Sequence, residues 1–187
     1  MSKQRDKVVI VSHCILNQTT RARWRGGGAS HEPGMLRNVV EILSKNNIGV
    51  VQMECPEFSL FGNPRPPRTK DGYDTPLFRE KCREIAVRTC DLIEGYLDAG
   101  MGASVVALVG VENSPSCGVS KVARTVGGET MSRPGRGHLM DALDEELGRR
   151  GIEVPMIGVS LKPDEREDGL RKLETLYSQK DTTLELT

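Results

Sequence analysis

Four short runs rich in β-branched and aliphatic residues punctuate the chain, at Val8–Ser12, Ile48–Met53, Ser104–Val109 and Pro155–Ser160. Each is bounded by polar or turn-forming residues and is the length of a strand. Between them the apolar positions recur every three or four residues. Met35–Lys45 carries Met35, Leu36, Val39, Val40, Ile42 and Leu43 on one helical stripe. Leu77–Leu97 carries Ile85, Ala86, Leu92, Ile93 and Leu97, and Leu139–Arg149 carries Leu139, Met140, Leu143 and Leu147, with Gly151 just past its end. A last amphipathic helix is expected over Asp164–Leu176, followed by a polar tail.

Strands alternating with helices predict right-handed βαβ units and a fold of the α/β class. The expected architecture is a single three-layer α/β/α domain over 1–187, built on a mostly parallel, Rossmann-like sheet. Its core would span about 7–162, with the final helix and tail over 163–187. In the run SVVALV every position after Ser104 is apolar, which suits a strand covered on both faces. The proline-rich stretch Gly62–Thr75 reads as a long surface loop, a place where compact domains often carry function.

Charge narrows the partners. The 26 basic and 26 acidic residues cancel, which argues against nucleic acid or a membrane surface held by a basic face. One Trp, three Tyr and three Phe are too few for a base-stacking platform. The apolar run after MSKQRDK is shorter than a signal peptide or a spanning helix needs, so a cytoplasmic protein is expected. Its five cysteines then read as free thiols, metal ligands or catalytic groups. There is no CxxC pair, phosphate-binding loop or dinucleotide fingerprint, and the pattern sets no oligomeric state.

Three of the cysteines follow strands. Cys14 ends VIVSHC, Cys55 ends VVQMEC, and Cys117 lies a short loop beyond the third strand in VVALVGVENSPSCG. Parallel sheets bind ligands beyond the carboxyl ends of their strands, so topology sets these thiols along one edge. Taken singly, each is also a reasonable buried hydrophobe. Cys82 and Cys90 fall within the long helix and read as core. Three thiolates without a fourth protein ligand suit an iron–sulfur cluster or a zinc ion with one open position. The flanking Pro56 and Pro115 restrict the backbone near two of them. His13, Glu54, Glu112, Asn17, Gln18, Arg21, Arg23, Arg25 and Gly26–Gly28 are weaker candidates, better read as solvated or loop-forming groups. A different enzyme class also fits the residues, a hydrolase with Cys117 as nucleophile, His13 or His31 as base and Glu57 orienting it. So does a metal or sulfur carrier with no turnover.

SHC after the first strand, CPE after the second with GNPRPP downstream, and SPSCG after the third resemble the thiouracil-desulfidase family over roughly residues 7–125. The resemblance implies a [4Fe-4S] cluster on Cys14, Cys55 and Cys117. It also implies a small thiolated substrate whose sulfur meets the fourth iron. The family's glutamate in CPE falls on Glu57 and its first serine in SPSCG on Ser114, both expected to move protons or touch substrate. A carboxylate serves as base if an apolar loop lifts its pKa. The segment ILNQTTRARWRGGGAS departs from the leucine-glycine turn and Arg-Tyr-Asp-Gly stretch usual in the family, which marks a divergent branch.

Overall fold

A computed structural model describes residues 6–22, 34–97 and 103–178. The sheet strands are β1 (Asp6–Val11), β2 (Gly49–Gln52), β3 (Ala103–Val111) and β6 (Met156–Val159). The helices are α1 (His13–Leu16), α2 (Arg37–Lys45), α3 (Pro56–Phe61), α4 (Pro76–Leu97), α5 (His138–Arg150) and α6 (Glu167–Ser178). A separate ribbon pairs β4 (Lys121–Val126) antiparallel with β5 (Glu129–Pro134).

The four-stranded sheet is parallel throughout, in the order β2-β1-β3-β6. Right-handed crossovers dictate the rest. The chain moves one way from β1 to β2 through α2, then reverses through α4 and α5, so those helices lie on the opposite face. Helix α4 packs on α5 and β3, while α6 packs on α2 and β6. The result is the expected three-layer α/β/α sandwich. Its direction reverses between β1 and β3, and a crevice opens there beyond the strand ends.

The central strands explain the core. Val9, Ile10 and Val11 of β1 and Ala107, Leu108 and Val109 of β3 have no exposed surface, because helices cover both faces. Cys82 and Cys90 sit in this core at 1% and 0% exposure. The second strand is less covered: β2 is an edge, and Val50 is 39% exposed. Helix α4 begins where Thr75 Oγ accepts the Phe78 amide, with Pro76 at the first helical position. Helix α5 ends at Gly151 in the left-handed region, φ 67°.

Two stretches depart from the sequence reading. The segment Gly62–Thr75 is not simply a surface loop, because it buries Arg65, Thr69 and Tyr73. Tyr73 stacks against both Phe61 and Phe78, at centroid distances of 5.6 and 4.7 Å, and this apolar contact holds the loop inward. The final helix starts later than expected, after a tight turn at Pro163–Glu165. There Arg166, 2% exposed, donates Nε to Ser160 O (2.9 Å) and Nη2 to Leu161 O (2.7 Å), which ties the turn to the end of β6. Among the described residues no helix is long and apolar enough to cross a membrane.

Candidate functional site

The strand ends at the switch point open into a cavity of about 530 Å3. Cys14, Cys55 and Cys117 all line it, together with Glu57, Ser114, His13, Arg21 and Arg65. Three residues far apart in the chain meet here because β2, β1 and β3 are neighbours and all point the same way.

Each cysteine is held by a different local device. Cys14 lies in the one-turn helix α1, and its carbonyl accepts from Gln18 Nε2 at 2.8 Å. Cys55 is the N-cap of α3: its Sγ accepts the Phe58 amide at 3.4 Å and Pro56 takes the first helical position. The Cys-Pro pair is thus a helix start whose capping atom is a sulfur. Cys117 sits in a loop clamped from two sides. Its carbonyl accepts from Val111 N (2.9 Å), while the first amides of α5, on His138 and Leu139, reach Pro115 O and Ser116 O (both 2.9 Å). The packing leaves no room for side chains: a Cβ on Gly137 would lie 2.3 Å from the Ser116 carbonyl carbon, and one on Gly110 would lie 2.3 Å from Cys117 O.

The two serines of SPSCG do different things. Ser114 Oγ accepts the amides of Ser116 (3.2 Å) and Cys117 (3.0 Å), which fixes the cysteine loop. Both acceptor positions of that hydroxyl are then used, and its O–H remains to donate. Ser116, 1% exposed, donates Oγ–H to Glu57 Oε1 at 2.6 Å. The other carboxylate oxygen, Oε2, takes Arg65 Nη2 at 3.3 Å. Arg65 is 5% exposed and is itself anchored by Gly62 O (3.0 Å) and Asn63 Oδ1 (2.8 Å). Glu57 is therefore a buried carboxylate gripped at both oxygens.

Sequence reasoning had not singled out Ser116 or Arg65. A signal for Arg65 existed: a buried carboxylate needs a cation, and GNPRPP supplies one arginine eight positions from Glu57. The weaker candidates resolve into structural roles. Glu112 accepts from Ser120 N, Ser120 Oγ and Lys121 N. Glu54 pairs with Lys81 (3.0 Å) and Arg88 (2.6 Å). Asn17 Oδ1 accepts the Thr19 amide at 3.0 Å. Arg23, Arg25, Gly26–Gly28 and His31 lie outside the described residues.

Electrostatics shifts all three thiols in the same direction. Cys14 and Cys55 are half-buried as residues, yet their sulfurs are deep enough for lost hydration to dominate. Burial first, then the neighbouring Cys55, pushes the Cys14 thiol up to about 12. Burial and then Glu57 push Cys55 to about 11. Cys117 rises well above an ordinary thiol through burial, then Cys14, then Cys55. A nucleophilic cysteine needs the opposite shift. His13, its pKa lowered by burial, stacks on Phe58 at 6.2 Å. Thiols held neutral chiefly by burial are ones whose protons a metal displaces on binding.

The donor set fits a cluster. Among the described residues no three His, Cys, Asp or Glu side chains crowd closely enough to ligate one metal ion. Three soft thiolate donors presented from neighbouring strand ends would suit such a cluster. Ser12 Oγ, fully buried, faces the Cys117 thiol as a hydrogen-bond donor and would stabilise that sulfur once charged.

Comparison with known proteins bears on the family and the fold. The family model described as "Putative 2-thiouracil desulfurase" matches residues 6–133. An uncharacterised protein of Methanocaldococcus jannaschii is 32% identical over 151 residues, which is 81% of this chain and 84% of its own. A solved structure titled as the [4Fe-4S]-dependent thiouracil desulfidase TudS shares the fold, with a TM-score of 0.54 at 22% identity over 92% of this chain and 99% of its own. The matched residues run from β1 into β5, a stretch that includes Cys14, Cys55, Glu57 and Cys117 of this chain, and the chain belongs to that family.

Proposed function

We propose that the protein is a desulfidase that removes sulfur from a thiolated nucleobase or a similar thiocarbonyl compound, with a [4Fe-4S] cluster held by Cys14, Cys55 and Cys117. The observation that supports this reading is the meeting of three strand-end cysteines and a doubly held carboxylate in one cavity at the switch point. Bound there, a cluster with one iron free of protein ligands supplies a Lewis acid for the substrate's sulfur.

The protein's own groups carry the protons. Net hydrolysis exchanges C=S and water for C=O and hydrogen sulfide, with no electron gained or lost. Glu57 takes a proton from the attacking water, its lone pairs aimed by Ser116 and Arg65 rather than left to rotate. The Ser114 O–H, its oxygen already polarised by two amides, donates to charge developing on the substrate. Apolar side chains of Val111, Pro115 and Leu161 line part of the cavity beside these groups.

The test is sulfide release by anaerobically purified protein from 2-thiouracil, 4-thiouracil and simple thioamides. The expected result is one sulfide per carbonyl product without added reductant. No release by iron-replete protein from any of them would remove the desulfidase reading.

A further inference from the structure

Part of the cavity lining is polar, and the residues that build it lie outside the chemistry described above. Asn113 lies there, two residues beyond the end of β3, with φ 62°. Few side chains tolerate that left-handed backbone, and such positions cluster at binding sites. Its main chain is fixed on both sides: Asn113 N donates to Lys121 O at 2.9 Å, and the residue bridges Val122 at the root of the β4–β5 ribbon.

The side-chain amide is oriented as well. Ser132 Oγ, on β5, donates to Asn113 Oδ1. Ser132 pairs with Ala123 across the ribbon and shares a face with Thr130, two residues away. Ala123 and Thr130 both line the cavity, so this is the ribbon face turned towards it. With Oδ1 taken by the ribbon, the amide has its two Nδ2 protons left, and no described residue accepts them. The ribbon is tied down where this matters: Asp71 accepts from Arg124 Nε (3.0 Å) and Thr125 N (2.7 Å), and Lys70 N donates to Ala123 O (2.9 Å).

We infer that Asn113 is a specificity-determining residue, whose Nδ2 donates to a second acceptor on the substrate, a carbonyl oxygen on the same ring as the thiocarbonyl. The inference rests on the desulfidase reading and sharpens it. The preferred substrate class is a thio-oxo heterocycle, and simple thioamides or thiones lacking that oxygen are the poor ones. A pocket built to donate a hydrogen bond rejects an analogue that lacks the acceptor, since the donor is left unpaired.

Two measurements on anaerobically purified, iron-analysed protein decide it. In turnover, wild type favours 2-thiouracil over pyrimidine-2-thione, which lacks the oxo group, by about tenfold in kcat/KM, equivalent to about 1.4 kcal/mol. Asn113→Gly, which keeps the positive φ without strain, abolishes that preference through KM. Asn113→Asp, which keeps the Oδ1 partner but replaces the donor by a carboxylate, lowers it further. In binding, calorimetry with uracil gives an affinity about tenfold weaker for Asn113→Gly than for wild type. Turnover with an unchanged preference in Asn113→Gly overturns the inference and leaves the desulfidase reading intact. Uracil binding that depends on Asn113, without any sulfide release, does the reverse. Absence of uracil binding by wild type overturns the inference outright.

Discussion

Ser116 Oγ donates to Glu57 Oε1 across 2.6 Å, joining residues 59 positions apart at the wall of the cysteine cavity. Ser114, two residues earlier, turns its oxygen to the amides of Ser116 and Cys117 instead. The two hydroxyls therefore have separable consequences. Ser116→Ala is expected to keep its iron and lower kcat by about tenfold to a hundredfold, since a misaimed base costs rate rather than binding. Ser114→Ala leaves two loop amides short of an acceptor, a loss of about 1–3 kcal/mol in the segment that presents Cys117, and is expected to lose iron as well as turnover. Iron content and steady-state kinetics on both variants check this, and equal iron loss in the two would contradict it.

Arg65 and Glu57 form a buried ion pair, with side-chain exposures of 5% and 11%. Removing the cation leaves that carboxylate away from water without its charge partner. Arg65→Met is expected to destabilise the fold by about 3–5 kcal/mol, read as a lower midpoint in urea. Arg65→Lys restores a charge without the fork that reaches Gly62 O, Asn63 Oδ1 and Glu57 together, so a partial rescue is the expected outcome.

The β4–β5 ribbon carries an acid-sensitive tether. The Arg124 hydrogen bond, helped by the Thr125 amide, holds the Asp71 carboxyl down to about 2. An unfolded chain would protonate that group near its ordinary value of about 3.9. The folded pKa is the lower one, so the tether contributes fully above pH ~4 and is lost as pH falls through ~2. Hydrogen exchange at the Thr125 amide should quicken between pH 5 and pH 2.5 relative to that of the β1 amides. In Asp71→Asn it should already be fast at pH 5.

Much of the fold is legible because helices and central strands advertise their burial. The stripe of Val39, Ile42 and Leu43 places α2, and the unbroken apolar run of β3 places the sheet centre. The ribbon escapes this logic. Every residue of β5 is exposed, so no alternation marks it. Its signal is instead Gly127-Gly128, two consecutive positive-φ glycines (59° and 85°) of the kind that close two-residue hairpins. The cysteine convergence follows from strand order alone. The division of labour between Ser114 and Ser116 does not, because a loop has no period to say which way each side chain faces. The inward turn of Arg65 depends on Tyr73 and Phe78 packing, a tertiary contact that local sequence does not encode.

The account rests on three sulfurs sharing one inorganic group, and iron and acid-labile sulfide analysis with a visible spectrum, on anaerobic protein, tests that most directly. Wild type is expected to hold about four irons per chain with broad visible absorption, and Cys14→Ser, Cys55→Ser and Cys117→Ser each to bleach it, while Cys82→Ser and Cys90→Ser keep the colour. A colourless wild-type protein that takes up no iron on reconstitution, or full colour after loss of any one of the three cavity cysteines, would contradict it.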